Sequence, residues 1–333
     1  FDYRVALSGV GAPSSGSRPI EDYTKTNDDR SFLGVYADWQ YTPNEDFRFD
    51  AGLRLNHTNE DRDTSARAAD GSESEDGSDS RDINRLSGAL GASYRLWNDG
   101  SDALTTYANY KNTFKPAVID FGPEAEAEIL EPEYATSGEV GLRGTLADQL
   151  FSWDLSAFYM DFRNLVVPAL VNGAPGLDNI GQLHMRGAEL EADWSITPEF
   201  KLLGRYAYHD TRFGDTKRLF GAVTQLLGRR HELSPQHLSA LGLDWSPLEG
   251  WNISITGSYV GDRWLNARNT ARVGSYATWD AGVSYTMSAW TFRVDGTNLS
   301  NRRDALSESE LGDASYYLNP ARTYFGSVAF RFQ

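Results

Sequence analysis

Arg229, Arg230 and His231 form the densest basic spot in a chain whose formal net charge is −16. They fall in a long polar stretch, residues 211–235. Guanidinium groups pair in a planar, two-pronged way with carboxylates and similar anions, so such a spot suits a carboxylate- or catecholate-bearing ligand. Arg263, Trp264 and Arg268 occupy the next polar stretch, and Tyr316 and Tyr317 the last, where they offer flat aromatic surface. A fourth group, Lys115, Asp120 and Phe121, lies among Pro116, Pro123 and Pro132. Each group also has a plainer reading, as ordinary surface charge or as a proline-stiffened loop.

Other chemistry is thinner. The acidic stretch 58–82 has carboxylates that suit a hard cation, but it lacks the spacing of an EF-hand loop and reads as solvated. Its charge would also suit a rim near divalent-bridged lipopolysaccharide. The five histidines, His57, His184, His209, His231 and His237, show no metal-ligand spacing. No nucleophile elbow or paired-carboxylate motif stands out, so no catalytic residue, metal site, cofactor or enzymatic activity is expected. Zero Cys removes disulfides and thiolate metal sites. The acidic balance argues against a nucleic-acid partner.

The elements that must position these residues are strands. Alternating segments recur at 1–8, 33–41, 47–56, 86–96, 104–113, 137–143, 151–161, 186–194, 202–208, 238–245, 251–259 and 277–285. Two more form a final hairpin, beginning at Trp290 and ending at Phe332. That makes about 14 strands, and no segment sustains a helical period. In 251–259, Trp251, Ile253, Ile255 and Tyr259 fall on one side and Asn252, Ser254, Thr256 and Ser258 on the other. No run approaches the roughly 20 apolar residues of a spanning helix, but a membrane strand needs only about 9–11, half of them polar.

The connections decide which kind of β protein this is. Tight turns at 42–46, 98–102, 147–149, 197–199, 246–250 and 287–289 alternate with long polar segments at 9–30, 58–82, 114–132, 163–179, 211–235, 261–274 and 299–321. Short turns on one side and long loops on the other is the layout of a transmembrane antiparallel barrel; a soluble sandwich has no reason to sort its loops. Trp39, Trp97, Trp153, Trp194, Trp245, Trp251 and Trp290 cluster beside the short turns, where an interfacial girdle belongs. The first segment, 1–8, has no basic or apolar leader-like run, so the chain is expected to be part of something longer.

Several segments in order resemble one family. TTYANYKNTFKPAVIDFGPEAEAEILEPEYATSGEVGLRGTL at 105–146, FSWDLSAFYMDFRNLVV at 151–167, HMRGAELEADWSITPEF at 184–200 and DGTNLSNRRD…ARTYFGSVAFRF near the end are similar to the barrel of TonB-dependent outer-membrane receptors. The likeness runs from about Phe32 to Phe332. It implies a bacterial outer-membrane location and a barrel of about 22 strands, of which this chain carries the C-terminal part, 1–333, without the first strands or the plug domain. It implies energy-coupled import of a scarce nutrient, with a ferric siderophore as ligand, external loops as its captors, and TonB as partner through the plug region. Rival readings are a receptor for haem, cobalamin or oligosaccharide, and a passive, porin-like barrel closed at 14 strands, in which 1–8 would pair with the last strand.

Overall fold

The computed structural model describes residues 23–67, 73–116, 129–171, 174–220, 222–308 and 316–332. Among them there is no helix. One 13-stranded antiparallel sheet contains β1 (Tyr23–Tyr41), β2 (Phe47–Arg67), β3 (Glu73–Asn98), β4 (Ala103–Lys115), β5 (Glu133–Leu146), β6 (Phe151–Val171), β7 (Ala174–Thr197) and β8 (Phe200–Phe213). It continues through β11 (His237–Trp245), β12 (Trp251–Val260), β15 (Tyr276–Met287), β16 (Trp290–Thr297) and β19 (Thr323–Phe330). Three small hairpins sit in the long connections: β9 (Lys217–Phe220) with β10 (Ala222–Gln225), β13 (Arg263–Trp264) with β14 (Arg272–Val273), and β17 (Ala305–Glu308) with β18 (Tyr316–Leu318).

Thirteen of the fourteen expected strands are present; the segment 1–8, and with it the question of its partner, lies outside the described residues. Every strand of the sheet pairs with its neighbour in sequence among the long strands, the pattern of an up-and-down wall. Directly opposed residues share a face, so the registers sort the wall. Leu243, Ile255 and Ala281 form one row, Leu155 and Leu190 another, and Phe292 with Val328 a third. These rows are exposed: Leu53, Leu90, Leu155, Leu241, Ile255 and Val294 all lie open. Bare aliphatic rows over a whole sheet face are costly in water and ordinary in lipid. The opposite, luminal face is charged and hydrogen-bonded: Arg205 meets Asp193 at 2.7 Å, His209 meets Glu189 at 2.8 Å, and Tyr107 Oη donates to Asp154 at 2.8 Å.

Aromatic rings border the apolar rows. At the short-turn end Trp251 lies 4.8 Å from Tyr285, Trp290 lies 4.7 Å from Phe330, and Trp39 stacks on Tyr41. At the other end stand Tyr159, Tyr206 and Tyr259. From Trp251 to Tyr259 is about 26 Å along the strand; at a strand tilt of about 40° the band is about 20 Å tall, close to a bilayer's apolar layer.

The tight turns sort as expected, but three of the expected long loops are partly strand: β1 begins at Tyr23, inside the segment 9–30. The acidic stretch 58–82 is largely strand, because β2 and β3 run far past the apolar band and pair to Arg67 and Glu73. Likewise β6 and β7 extend together to Val171 and Ala174, through the segment expected to be a loop. The β2–β3 extension is polar almost throughout, whereas the β6 extension is the apolar run 165–171, of which Leu165 and Val167 pack on a small apolar core; in both, the backbones go on pairing. At the tight end, Ala147, Asp148 and Gln149 all take left-handed φ values of 57–64°. Asp102, buried in the neighbouring turn, holds them by accepting the Asp148 and Gln149 amides.

Two outcomes follow from this layout. Ile255→Arg, on the lipid row, should cost about 2–4 kcal/mol of unfolding free energy, whereas Thr256→Arg, one residue along and facing the lumen, should cost far less. Urea titrations of the protein in lipid vesicles compare them; a larger cost for Thr256→Arg would mean that the faces have been read the wrong way round, and equal costs that neither faces lipid. The second outcome concerns Asp210, the first outward position beyond Tyr208 on β8. Burial alone would push its carboxyl upward, but hydrogen bonds from Arg212 and then Arg186 outweigh that and hold it below the usual range. A depressed carboxyl stabilises the fold above its unfolded value, about 3.9, and loses that contribution as pH falls through the lower folded value. Calorimetry from neutral to acid pH should therefore show a shallower decline in melting temperature for Asp210→Asn than for the native chain, starting from a lower neutral value.

Candidate functional site

The long-loop end of the wall is built from motifs that lie far apart in sequence. Lys115 of the FKP segment opposes Glu133 of the LEPE segment, and Lys115 Nζ sits 2.7 Å from a Glu133 oxygen. Glu133 is buried and also accepts the Val166 amide at 3.0 Å, so one carboxylate ties β4, β5 and β6 together. Just before it, residues 129–132 fold over the luminal face of β2 and β3. Asp79 accepts the Ile129 amide at 2.8 Å, and Arg81 donates to the Leu130 carbonyl at 2.6 Å. Ile129 is almost wholly buried.

Beneath that cover lies a charge lattice. The registers align Asp28, Arg62 and Asp79 in one row and Arg30, Glu60 and Arg81 in the next, so signs alternate along both rows. Arg62 is 1% exposed and meets Asp28 at 3.0 Å. Charges so deeply buried persist only with opposite neighbours. The polar extensions of β2 and β3 are thus rigid because their charges interlock.

Three other long connections lock onto one another. In 214–236, the Arg230 amide donates to Asn269 Oδ1 at 2.8 Å and Asn269 Nδ2 returns a bond to the Arg230 carbonyl at 2.8 Å. Arg229 donates to the Arg268 carbonyl, and the Leu233 amide to the Trp264 carbonyl at 2.8 Å. Leu226 and Ala267 pack with Leu183 and Phe213 in a small apolar core that also takes in Phe162 and Met185. From 261–275, Arg263 reaches the last connection: its guanidinium donates to the Ala305 carbonyl at 2.7 Å and lies over the Tyr276 ring. The base of that last connection is stitched by Asn298 of the DGTNL motif. Its amide donates to Asp280 at 2.7 Å, and its side chain donates to the Arg302 and Pro320 carbonyls at 2.8 and 2.7 Å. Asn298 does this at φ +47°, a conformation that asparagine tolerates better than most residues.

The structure therefore brings Arg229, Arg230, His231, Arg263, Trp264 and Arg268 into one interlocked mouth. Arg263 is buried there, His231 stacks obliquely near Phe213, and Arg272 covers the Trp264 ring. Tyr316 and Tyr317 stand exposed on the β17–β18 hairpin, and Lys115 lies on the far side beside β5. Asp120 and Phe121 lie outside the described residues. Sequence reading missed Asn269 and the charge lattice of β1–β3. Asn298 was part of a quoted motif, but its task as a stitch shows only in three dimensions. Among the described residues no group of three or more His, Asp or Glu is placed to hold a metal ion.

An antiparallel membrane wall, tight turns at one end and an interlocked loop mouth over a polar face at the other define an outer-membrane barrel of the receptor type. The family model for the TonB dependent receptor-like beta-barrel matches residues 1–299, and the chain belongs to that family. It is 25% identical over 264 residues to the ferrioxamine receptor of Yersinia enterocolitica, covering 76% of this chain and 34% of that protein. It is 24% identical over 250 residues to the ferrichrome outer membrane transporter/phage receptor of Escherichia coli K12, covering 74% and 30%. The crystal structure of the ferric yersiniabactin uptake receptor from Yersinia pestis superposes with a TM-score of 0.79 at 19% identity, over 93% of this chain and 47% of that one. The chain thus spans about a third of the length of the curated relatives it matches. Members of this family are outer-membrane β-barrels of receptors and transporters, and this chain is an outer-membrane barrel wall.

The stitching role of Asn298 is open to test. Asn298→Ala keeps the backbone amide that Asp280 accepts but leaves the Arg302 and Pro320 carbonyls short of a donor and the Arg302 amide short of an acceptor, at a cost of about 1–3 kcal/mol. Limited trypsin digestion of the folded protein should then cut at Arg302 or Arg303 much faster than in the native chain. An unchanged digestion pattern would show that the last connection is held by something else.

Proposed function

We propose that this chain forms the C-terminal part of the barrel of a TonB-dependent receptor that imports a ferric siderophore. The observation that carries the reading is the mouth. Three long connections are locked together over a polar luminal wall, and they present Arg229, Arg230, Trp264, Tyr316 and Tyr317 at one end of it. A ferric siderophore is a bulky, hydrogen-bonding, often anionic ligand, and arginine and flat aromatic surface are what recognises it. The ferrioxamine and ferrichrome names of two relatives support the same class.

In this reading the ligand docks at the mouth, with Tyr316, Tyr317, Lys115 and the Arg229–Arg230 edge as contacts. Asp120 and Phe121 join from the neighbouring connection. Arg263 and Arg268 hold the loops that present them. A plug domain fills the lumen, and its rearrangement under TonB's pull opens a path along the polar wall. The thirteen strands then form part of a barrel of about 22, completed by strands that pair with the edges of β1 and β19.

The test is equilibrium binding by the full-length receptor in detergent, with ferric ferrioxamine as the probe and cyanocobalamin and haem as alternatives. Ferric ferrioxamine should bind, and Tyr316→Ala/Tyr317→Ala should weaken it about tenfold, the loss of roughly 1.4 kcal/mol typical of an aromatic contact residue. Binding of cyanocobalamin or haem in its place would discard the siderophore and keep the receptor. Free passage of small sugars through reconstituted vesicles, without energy input, would favour the passive channel.

A further inference from the structure

The outer face of the wall changes character on β6, β7 and β8 at the row that holds Tyr159. Below that level, outward positions are apolar: Leu155 pairs with Leu190, and Ala157 with Ala188, which opposes Tyr208. The next row is Tyr159, Arg186 and Asp210, and the row after it Asp161, His184 and Arg212. Arg163 follows on β6. All share the outward parity of Trp153, Leu155 and Trp194, so they belong to the lipid side and not to the lumen.

The arrangement is built. Asp210 accepts Arg186 Nη2 at 2.9 Å and Arg212 Nε at 2.9 Å, gathering two guanidinium groups on one carboxylate. Arg212 also donates to the Gly228 carbonyl at 3.1 Å. Asp161 holds Arg163 at 2.9 Å and His184 at 3.1 Å. The carboxylates lie inside and the cations outside. The Asp210 side chain is 2% exposed, whereas Arg186 is 68%, Arg212 42% and Arg163 59% exposed. Three guanidinium groups against two carboxylates leave a local excess of one positive charge, in a chain with an overall charge of −16. On β2 and β3 the outward positions at a comparable distance from the tight turns are His57, Asn59, Asn84 and Leu86, with Asp61 and Asp82 farther along.

From this geometry we propose that Arg163, Arg186 and Arg212 form a site for the phosphate of a phosphorylated lipid in the membrane leaflet at the long-loop end. A lipid whose chains lie along the apolar rows brings its phosphate to the height at which the rows end. Guanidinium groups pre-oriented by Asp210 and Asp161 meet it with their free N–H groups, and pre-orientation lowers the entropy lost on binding. The described part of the acidic segment 58–82, which sequence suggested as the lipid-facing rim, is carried instead by β2 and β3. This assignment is independent of which solute the receptor imports.

The experiment uses the full-length receptor in phosphatidylcholine vesicles doped with bisphosphorylated lipid A or with the same lipid dephosphorylated. Retained lipid is measured by native mass spectrometry after extraction. The native protein should retain the phosphorylated form about tenfold better, and Arg186→Gln/Arg212→Gln should lose most of that preference. Arg186→Lys/Arg212→Lys should fall between, because an ammonium lacks the two-pronged fork. If the glutamine pair fails to insert, Arg163→Gln, whose partner Asp161 is separately held by His184, gives the same comparison. Equal retention of both lipids by the native protein, or an undiminished preference in the variants, would overturn the proposal. So would full competition by inorganic phosphate at the same concentration, which would mark a site for free anions.

Discussion

A peptide group in hydrocarbon has no water to turn to, so every N–H and C=O of a membrane wall must find a partner within the wall. The rest of this structure depends on that constraint. It makes thirteen consecutive strands pair continuously, and it frees side chains from the need for a soluble core: the buried apolar residues among those described are few, and the aliphatic rows face outward. It also governs the two edges. In the described sheet β1 pairs only with β2 and β19 only with β16. With an odd strand count, both run toward the short-turn end, so joining them directly would make a parallel seam. Closure with antiparallel pairing throughout takes an odd number of further strands, which the 22 of the proposed barrel satisfies.

Beyond the lipid the constraint relaxes, and charge takes over the work that aliphatic rows do below. β2 and β3 keep pairing past the aromatic ring because Asp28, Arg62 and Asp79, and in the next row Arg30, Glu60 and Arg81, alternate in sign across three strands. Such a lattice is stable only if each charge is flanked by its opposite. It needs a lid as well, and residues 129–132 supply one through the Asp79 and Arg81 bonds. The connection before β5 thus rests on the extensions of β2 and β3, while Leu226 and Ala267 of the mouth pack on Leu183 and Phe213 of β7 and β8.

How much of this is legible in sequence follows from the same division. Period two in apolar residues located thirteen strands, since lipid enforces that period wherever it is in contact. The extensions were hidden: 58–82 alternates polar with polar, and a lattice of Glu, Asp and Arg reads linearly as a solvated acidic run. The mouth was half visible. Arg229, Arg230 and Arg263 stood out by type, but Asn269, which clasps Arg230 across 39 residues, carries no signal of its own. Asn298 and Glu133 lay within recognised motifs without revealing that one stitches a loop and the other ties three strands. Local pattern reports contact with lipid; it does not report which distant backbone groups a side chain will satisfy.

The mouth and the outer wall use arginine in opposite ways, and the difference bears on what each can attract. On the outer wall, Arg186 and Arg212 share a carboxylate, which offsets part of their charge and fixes their direction. At the mouth, Arg229 and Arg263 donate instead to the carbonyls of Arg268 and Ala305. A carbonyl satisfies a donor without cancelling its charge, so these guanidinium groups keep their full positive field while locking the loops together. Arg263 is buried, and in that lower-dielectric position its field reaches farther than it would in open water; Arg229 is exposed. Within the mouth itself the acceptor differs from one arginine to the next: Arg229 and Arg263 donate to carbonyls that lock the loops, whereas Arg272 and Arg302 pair with Asp262 and Asp304 at 2.6 Å.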